Sequence, residues 1–511
     1  MIALRACLGA GLLLLGGCSL APKTTLPASP VPPSWPIGDA YLIASEAALP
    51  LLSYKGVFTD ARLQRLVEAA LTGNRDLRTA YANVAAARAQ VRVTRSAQFP
   101  ELGVSADAGY SDSEGSRGVA DFSLRGGVTA FELDLFGRLA NATEAERNRA
   151  LATEAAARTV RLALIAELAN AWAAYGADRD LLKIAEDTAA NARDSVRLTQ
   201  ARLAGGVAPR TDLRQAEQIR AAAEDAIAQQ KTALAQGENR IRLLVGGDFD
   251  AALLPASLSD VTPSIVALPA GVSSNILLRR PDVIEAEYDL RAANADIGAA
   301  RARLFPSISL TGLLGLASDA LSGLFDGGSF GWSAGGDATA TIFDAGGRRA
   351  GVAVSEAQRD AALARYEGAI QTAFREVADA LAVQGTIAER VRAATATSDA
   401  AADTATLTDA RYRGGIDSFL ASLDAQRSLY AARRSEIATQ LLLVQTRIAL
   451  FRALGGDSSA GPAAPGPSSS SPPPPDLIRG PCFGRRMDAG SSCPELVEAS
   501  GMTIGDDTDS P

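Results

Sequence analysis

The chain has 511 residues, 50 of them basic and 58 acidic, for a formal net charge of −8, and that balance gives no electrostatic reason to expect nucleic acid. Histidine is absent, which removes the commonest general base and the commonest metal ligand. The four cysteines, Cys7, Cys18, Cys482 and Cys493, form no Cys-x-x-Cys pair, so no zinc site, bound cofactor or disulfide-framed core is expected.

Residues 1–17 read as an export signal, with Arg5 ahead of an apolar run through Leu12–Leu15 that is too short to span a bilayer. The run closes on Leu15-Gly16-Gly17-Cys18. Small residues before a cysteine resemble the bacterial lipobox, in which Cys18 is lipidated, as with palmitate, and becomes the first mature residue. An ordinary signal peptide with an incidental cysteine is the competing reading. Ser19 follows, not aspartate, which favours sorting to the outer membrane. Residues 18–57 are expected to act as a tether, since the stretch 21–36 is rich in Pro and Ser.

One unit then occurs twice, over 58–249 and 276–456, joined by a linker at 250–275 that holds Pro255, Pro263 and Pro269. Phe99-Pro100 recurs as Phe305-Pro306; Asp134, Gly137 and Arg138 recur as Asp344, Gly347 and Arg348; Arg202 with Gly205-Gly206 recurs as Arg411 with Gly414-Gly415. Three anchors at nearly constant spacing point to internal duplication.

Each copy opens with a helical stretch. Leu63, Leu66, Val67, Ala70 and Leu71 follow helical spacing, and Leu77, Ala80, Tyr81 and Val84 continue it until Phe99-Pro100 stops the helix. Two alternating segments follow. Leu102, Val104, Ala106 and Ala108 alternate with small or polar residues, and so do Phe122, Leu124, Gly126 and Val128. In copy two the same pattern runs over Ile308, Leu310 and Leu316, then over Phe330, Trp332, Ala334, Ala338, Ala340 and Ile342. Alternating segments of about ten residues suit transmembrane β-strands, or an amphipathic sheet in a soluble domain. The signal segment and the lack of a hydrophobic spanning helix favour the membrane reading. Four strands have open edges that lipid does not tolerate, so strands in a bilayer require oligomerisation.

Very long helices come next. From about Leu139 to Leu203 there is no proline and one glycine, Gly176, and at 1.5 Å per residue such a rod reaches on the order of 100 Å. The pattern breaks at Gly205-Gly206-Val207-Ala208-Pro209 and resumes to about Leu244; copy two runs from Arg348, breaks at Gly414-Gly415 and resumes from Phe419 to Leu454. Helices this long and this rich in alanine cannot bury a globular core, so they are expected to pack as coiled-coil hairpins. Residues 457–511 include a run of only Pro and Ser at 467–475 and read as disordered, with Cys482 and Cys493 either paired or free.

An ordered series of motifs gives this plan a counterpart. It includes Phe58-Thr59-Asp60, Asn74-Arg75-Asp76-Leu77-Arg78, and Phe131-Glu132-Leu133-Asp134-Leu135-Phe136-Gly137-Arg138. It continues with Arg279-Arg280-Pro281-Asp282-Val283, Phe305-Pro306-Ser307-Ile308-Ser309-Leu310-Thr311 and Leu423-Asp424-Ala425-Gln426-Arg427. The series resembles the TolC/OprM-type outer-membrane factors, in particular the lipoprotein branch that serves RND efflux pumps. The resemblance implies a mainly α fold with membrane β: a long coiled-coil helical barrel plus four strands per subunit, a homotrimer forming a twelve-stranded β-barrel. It implies a passive efflux duct, held in outer-membrane lipid and extending into the periplasm, that works with a periplasmic adaptor and an inner-membrane RND transporter. The hairpin turns would be adaptor-contacting tips, through Gly205, Gly206, Val207 and Thr211 in copy one and Gly414, Gly415, Ile416 and Ser418 in copy two. Leu420 and Asp424, one turn apart, match an apolar and an acidic ring of a periplasmic gate; a solvated surface carboxylate is the alternative for Asp424. Ala421 stands where some relatives carry a second aspartate.

Gly137 and Gly347 are expected to make the strand-to-helix turns, and Arg138 and Arg348 to contact phosphate or neighbours there. Trp332 fits either an aromatic girdle or a buried strand position. Three other functions compete. A duct for secreted polypeptides has the same architecture. A periplasmic adaptor should have one hairpin between β-rich halves, whereas two hairpins are read here. An enzyme lacks support: no Ser/His pair, phosphate loop or catalytic carboxylate cluster is found.

Overall fold

The computed structural model of the chain describes residues 19–23, 27–28, 30–32, 34–36, 41, 53–112, 119–268 and 274–456. Cys18 and the signal segment, and Cys482 and Cys493 in the 457–511 tail, lie outside the described residues.

Copy one contains α1 (Tyr54–Val57), α2 (Ala61–Gly73), α3 (Arg75–Ser96), β1 (Leu102–Ser111), β2 (Val119–Glu132), α4 (Arg138–Ala204) and α5 (Arg210–Val245). A connecting turn, α6 (Leu258–Val261), leads into copy two. That copy contains α7 (Pro281–Ala302), β3 (Ser307–Ser318), β4 (Phe330–Thr339), α8 (Gly347–Arg413) and α9 (Phe419–Ala453). The two long rods are each 67 residues, so both hairpins reach about 100 Å from the sheet.

The first helical stretch is not continuous, contrary to its spacing. Asn74 breaks it with an extended backbone, and its side chain accepts a hydrogen bond from the Leu77 amide to cap α3. A polar side chain that satisfies a new helix start competes with helix continuation.

The strands form one antiparallel sheet in the order β1-β2-β3-β4. Its register places Val104 beside Gly126, Leu124 beside Leu316, and Leu314 beside Trp332. One face therefore collects Leu102, Val104, Phe122, Leu124, Leu314 and Trp332, while the other collects Ser105, Asp107, Ser123, Arg125, Thr311 and Asp337. Val104 is 80% exposed and Trp332 76% exposed, so that tryptophan is not buried within its own chain. β1 and β4 have a free edge each among the described residues. β4 ends at Thr339, so Ala340 and Ile342 lie beyond it, despite their alternation.

The strand-to-helix turns explain that end. Asp134 Oδ2 accepts a hydrogen bond from the Ala140 amide at 2.7 Å, and Asp344 accepts from the Gly346 and Arg348 amides at 3.0 Å each. Each aspartate thus satisfies the unpaired amides of a long helix from just outside it, at the positive end of its dipole. In copy one Gly137 takes the left-handed conformation, φ 74°. In copy two the turn glycine is not the expected Gly347 but Gly346, φ 87°, and Gly347 is the first helical residue, one place earlier than the repeat alignment suggests. Arg138 makes a neighbour contact, a forked pair with Glu132, and Arg348 contacts Thr341. Phe136 stacks on Phe305 with centroids 4.6 Å apart, joining the two copies at this level.

A belt of larger apolar residues ties the rods together midway. Phe58 meets Phe451 edge-on at 5.0 Å, and Trp172 lies fully buried with its Nε1 donating to the Leu253 carbonyl at 2.9 Å. The connecting segment is part of this belt, since Leu258, Val261 and Ile265 are fully buried and Phe58 pairs with Ile265 as an isolated bridge. Arg280 fixes the end of α9: its Nη1 donates to the Ala453 carbonyl at 2.8 Å, and its Nη2 reaches Asp282 and Glu376. Elsewhere α4 buries mostly alanine, including Ala145, Ala155, Ala185 and Ala192, which lets neighbouring helices approach closely.

Phe451→Ala empties the centre of the belt and is expected to destabilise the fold by about 3–5 kcal/mol. Thermal unfolding followed by far-UV circular dichroism measures this; a change under about 1 kcal/mol would show that the belt is not the packing centre.

Candidate functional site

The end of the hairpins away from the sheet brings together residues from both copies. Each long helix ends in the same two-bond turn. In copy one the Val207 amide donates to the Arg202 carbonyl at 2.9 Å and the Gly206 amide to Leu203 at 3.0 Å. In copy two Ile416 donates to Arg411 at 2.9 Å and Gly415 to Tyr412 at 3.0 Å. Gly206 (φ 70°) and Gly415 (φ 75°) supply the left-handed residue that this closure requires. Gly205 and Gly414 cap the helices. Val207 and Ile416 project from the turns at 76% and 68% exposure. Thr211, in the first turn of α5, and Ser418, which caps α9, are also exposed.

Behind the turns a small cluster of Val196, Ala216, Tyr412, Phe419 and Leu423 joins all four long helices. Phe419 and Leu423 are one turn apart and face inward. Leu420 and Asp424, each one residue further on, are both exposed on a different face of α9. The structure thus places Leu420 and Asp424 on one exposed surface of α9 close to the copy-two tip, and Asp424 has no hydrogen-bond or ion-pair partner among the described residues.

The clasp between the copies is a residue that spacing marks only as a repeat anchor. Arg202 Nη2 donates to the Tyr412 and Arg413 carbonyls, each at 3.0 Å, and its guanidinium lies 4.3 Å from the Tyr412 ring centroid. These carbonyls lie in the last turn of α8, at the negative end of its dipole, where the Tyr412 carbonyl also accepts from the Gly415 amide, so a cation there is favoured by the dipole and by the ring. The repeat mate Arg411 behaves differently. It makes a forked pair with Asp417, at 2.6 and 3.0 Å, inside its own turn. Ala208 occupies the place of Asp417 in copy one. Without an acid in its turn, Arg202 reaches across to the neighbouring hairpin.

The hydrogen bonds from Arg411 hold the Asp417 carboxyl below the usual carboxylate range. A depressed folded pKa means that the pair contributes above the ordinary value of about 3.8 and is lost only as pH falls through the lowered one. Asp417 is therefore charged throughout the neutral range and gives the turn no pH response there. Two buried polar atoms at this end, Tyr412 Oη and Ser422 Oγ, have no hydrogen-bond partner among the described residues. Each such atom costs about 1–3 kcal/mol, so the packing behind the turns is opposed from within.

Residues 66–247 and 272–456 match the family model described as outer membrane efflux protein. The chain belongs to this family. It is 41% identical over 463 residues to outer membrane protein OprJ of Pseudomonas aeruginosa, covering 88% of this chain and 95% of that one. It is 39% identical over 455 residues to the solvent efflux pump outer membrane protein SrpC of Pseudomonas putida, covering 87% and 96%. The crystal structure of the open state of the Neisseria gonorrhoeae MtrE outer membrane channel superposes with a TM-score of 0.78 at 30% identity, covering 88% of this chain and all of that one. Membership makes the chain an outer-membrane efflux channel subunit, and its apolar-faced sheet and long hairpins are the parts that such a channel needs.

Arg202→Ala removes two carbonyl contacts and a ring contact at once. It is expected to raise the fraction of time that single channels conduct in planar bilayers by about tenfold, the value of one lost charged hydrogen bond. Arg202→Lys should fall between the two proteins, because lysine keeps the charge without the planar fork. An unchanged open fraction in Arg202→Ala would show that the clasp has no part in channel opening.

Proposed function

We propose that three copies of this chain form a passive duct across the outer membrane, opened from its periplasmic end. The observation that carries this reading is a sheet with an apolar face and two free edges, continuous with helical rods of about 100 Å. Three such sheets joined edge to edge would close a twelve-stranded barrel and leave no unpaired backbone in lipid. The apolar face with Trp332 would then meet lipid, and the face with Asp107, Arg125 and Asp337 would line the passage. Beneath it, twelve rods would form a tunnel, with room provided by their alanine contacts.

The chain performs no chemistry in this reading. A periplasmic adaptor engages the exposed Val207, Thr211, Ile416 and Ser418 at the tips, close beside the turn glycines, and an inner-membrane RND transporter supplies the energy. The gate is carried by copy two. Three copies of Leu420 would make a dewetting constriction and three of Asp424 a cation-attracting ring. Supporting this, copy one carries Thr211 and Gln215 at the equivalent places, so neither ring can be completed from both copies. Cys18 carries the lipid anchor. Support comes from the placement of Ser19 against the first turn of α4, beside the base of the sheet.

Leu420→Ala together with Asp424→Ala is expected to make the closed channel leaky, with conductance several-fold above the unaltered protein in planar bilayers and reduced cation preference. Unaltered conductance and selectivity would refute the gate assignment. Cys18→Ala should abolish incorporation of labelled palmitate while the barrel still inserts; full palmitate labelling of that variant would contradict the lipobox.

A further inference from the structure

Next to the sheet four helices stand side by side in the order α3, α4, α7, α8. The two copies correspond helix for helix. α3 and α7 are 22 residues each, with Arg75 answering to Pro281; α4 and α8 are 67 residues each, with Arg138 answering to Gly347. Within this row α7 lies between α4 and α8, whereas α3 and α8 each have a neighbour on one side only among the described residues. The contact of α4 with α7 is therefore a template for the faces that α8 and α3 leave open.

On α4, Asn141, Ala145, Asn148, Ala152 and Ala155 follow spacings of four and three residues along one face, and all are buried. Asn141 and Asn148 share a recess there with Arg291 and Asn294 of α7. The corresponding residues of α8 are Ala350, Val354, Ala357, Ala361 and Ala364, and all five are exposed. The shorter helices show the same contrast. Ala292 and Ala299 of α7 are buried, while their counterparts on α3, Ala86 and Val93, are exposed. Val93 stands 63% open where Ala299 is 8% open. A stripe that is buried in one copy of the unit is thus bare in the other, and so is the face that would cover it.

We propose that the stripe on α8 is the seat of α3 from a second copy of this chain, packed as α7 packs on α4. This rests on the reading of three copies in one duct and names the surface that joins them below the sheet. One pair distinguishes this seam from the one inside the chain. Inside, the narrow side is α7: Gly298 leaves room for Asn141, whose Cγ a Cβ there would approach to 2.8 Å. Between copies the sizes are exchanged, with Arg92 in the place of Gly298 and Ala350 in the place of Asn141. Arg92 is exposed and has no hydrogen-bond or ion-pair partner among the described residues, so its side chain is available to lie over Ala350 of the next copy. The same face of α3 set on α4 would drive Arg92 into Asn141. The exchange therefore gives each seam its own partner and fixes the order in which the helices follow one another.

The test uses the full-length protein purified in detergent, with its mass determined first by light scattering. Donor-labelled and acceptor-labelled preparations are mixed, and subunit exchange is followed by energy transfer. Ala350→Arg sets like charges against each other across the seam and should exchange about tenfold faster. Arg92→Asp added to Ala350→Arg restores opposite charges and should return exchange close to the rate of the unaltered protein. High salt should narrow the difference between the three. Ala350 is exposed in the single chain, so far-UV circular dichroism spectra should coincide. Trimers of Ala350→Arg that exchange like the unaltered protein would overturn this seam and leave the trimer standing, as would a double variant no slower than Ala350→Arg. An unaltered protein with the mass of a monomer would overturn the reading of three copies and the proposal with it.

Discussion

The hydrogen-bonding demand of two sheet edges governs the rest of this molecule. β1 and β4 each leave a row of backbone amides and carbonyls without partners among the described residues, and the sheet between them is too apolar on one face to rest in water. In hydrocarbon such edges are intolerable, whereas edges of further copies satisfy them without cost in side chains. Once the sheets close on one another, the helices that continue from them must also stand in a ring. The stiff caps at Asp134 and Asp344, and the Phe136–Phe305 stack, pass the orientation of the sheet directly to the rods.

Packing along the rods is divided between two duties. The belt around Phe58, Trp172 and Phe451 is dense and aromatic and supplies the stability of a single chain. Beyond it the contacts are mainly alanine, ending in the small Tyr412–Phe419 cluster. A rod held firmly at its middle and lightly at its end can move at the end alone. The Arg202 clasp and the two unsatisfied hydroxyls sit at that lightly held end. Energy differences of a few kcal/mol there suffice to shift a two-state opening.

Much of this was legible in the sequence because periodicity reports what a side chain faces. Alternation in Leu102–Ala108 and Phe122–Val128, and the proline-free stretch before Gly205, correspond to local geometry that nothing distant overrides. Alternation fails where a neighbour intervenes. It extends the fourth strand to Ile342, but Asp344 captures the next helix start and turns the chain earlier. Apolar spacing runs through residue 74, but the Asn74 side chain caps a new helix. The clasp was half legible: the missing acid at Ala208 is visible when the copies are aligned, whereas the partner of Arg202 is a backbone carbonyl of another hairpin, which no side-chain pattern encodes. The open stripe from Ala350 to Ala364 was not legible at all, since alanine spacing looks the same whether a neighbouring helix covers it or not.

Closure of the sheet by other copies is the central claim, and crosslinking across the free edges tests it most directly. With Cys482 and Cys493 replaced by serine, Ser105→Cys on β1 is combined in turn with Ser333→Cys, Gly335→Cys and Asp337→Cys on β4, and membranes are oxidised before denaturing electrophoresis. The account predicts a covalent trimer for at least one pairing, and none when either new cysteine is absent. Monomers alone for all three pairings, in protein that still inserts and conducts, would contradict it.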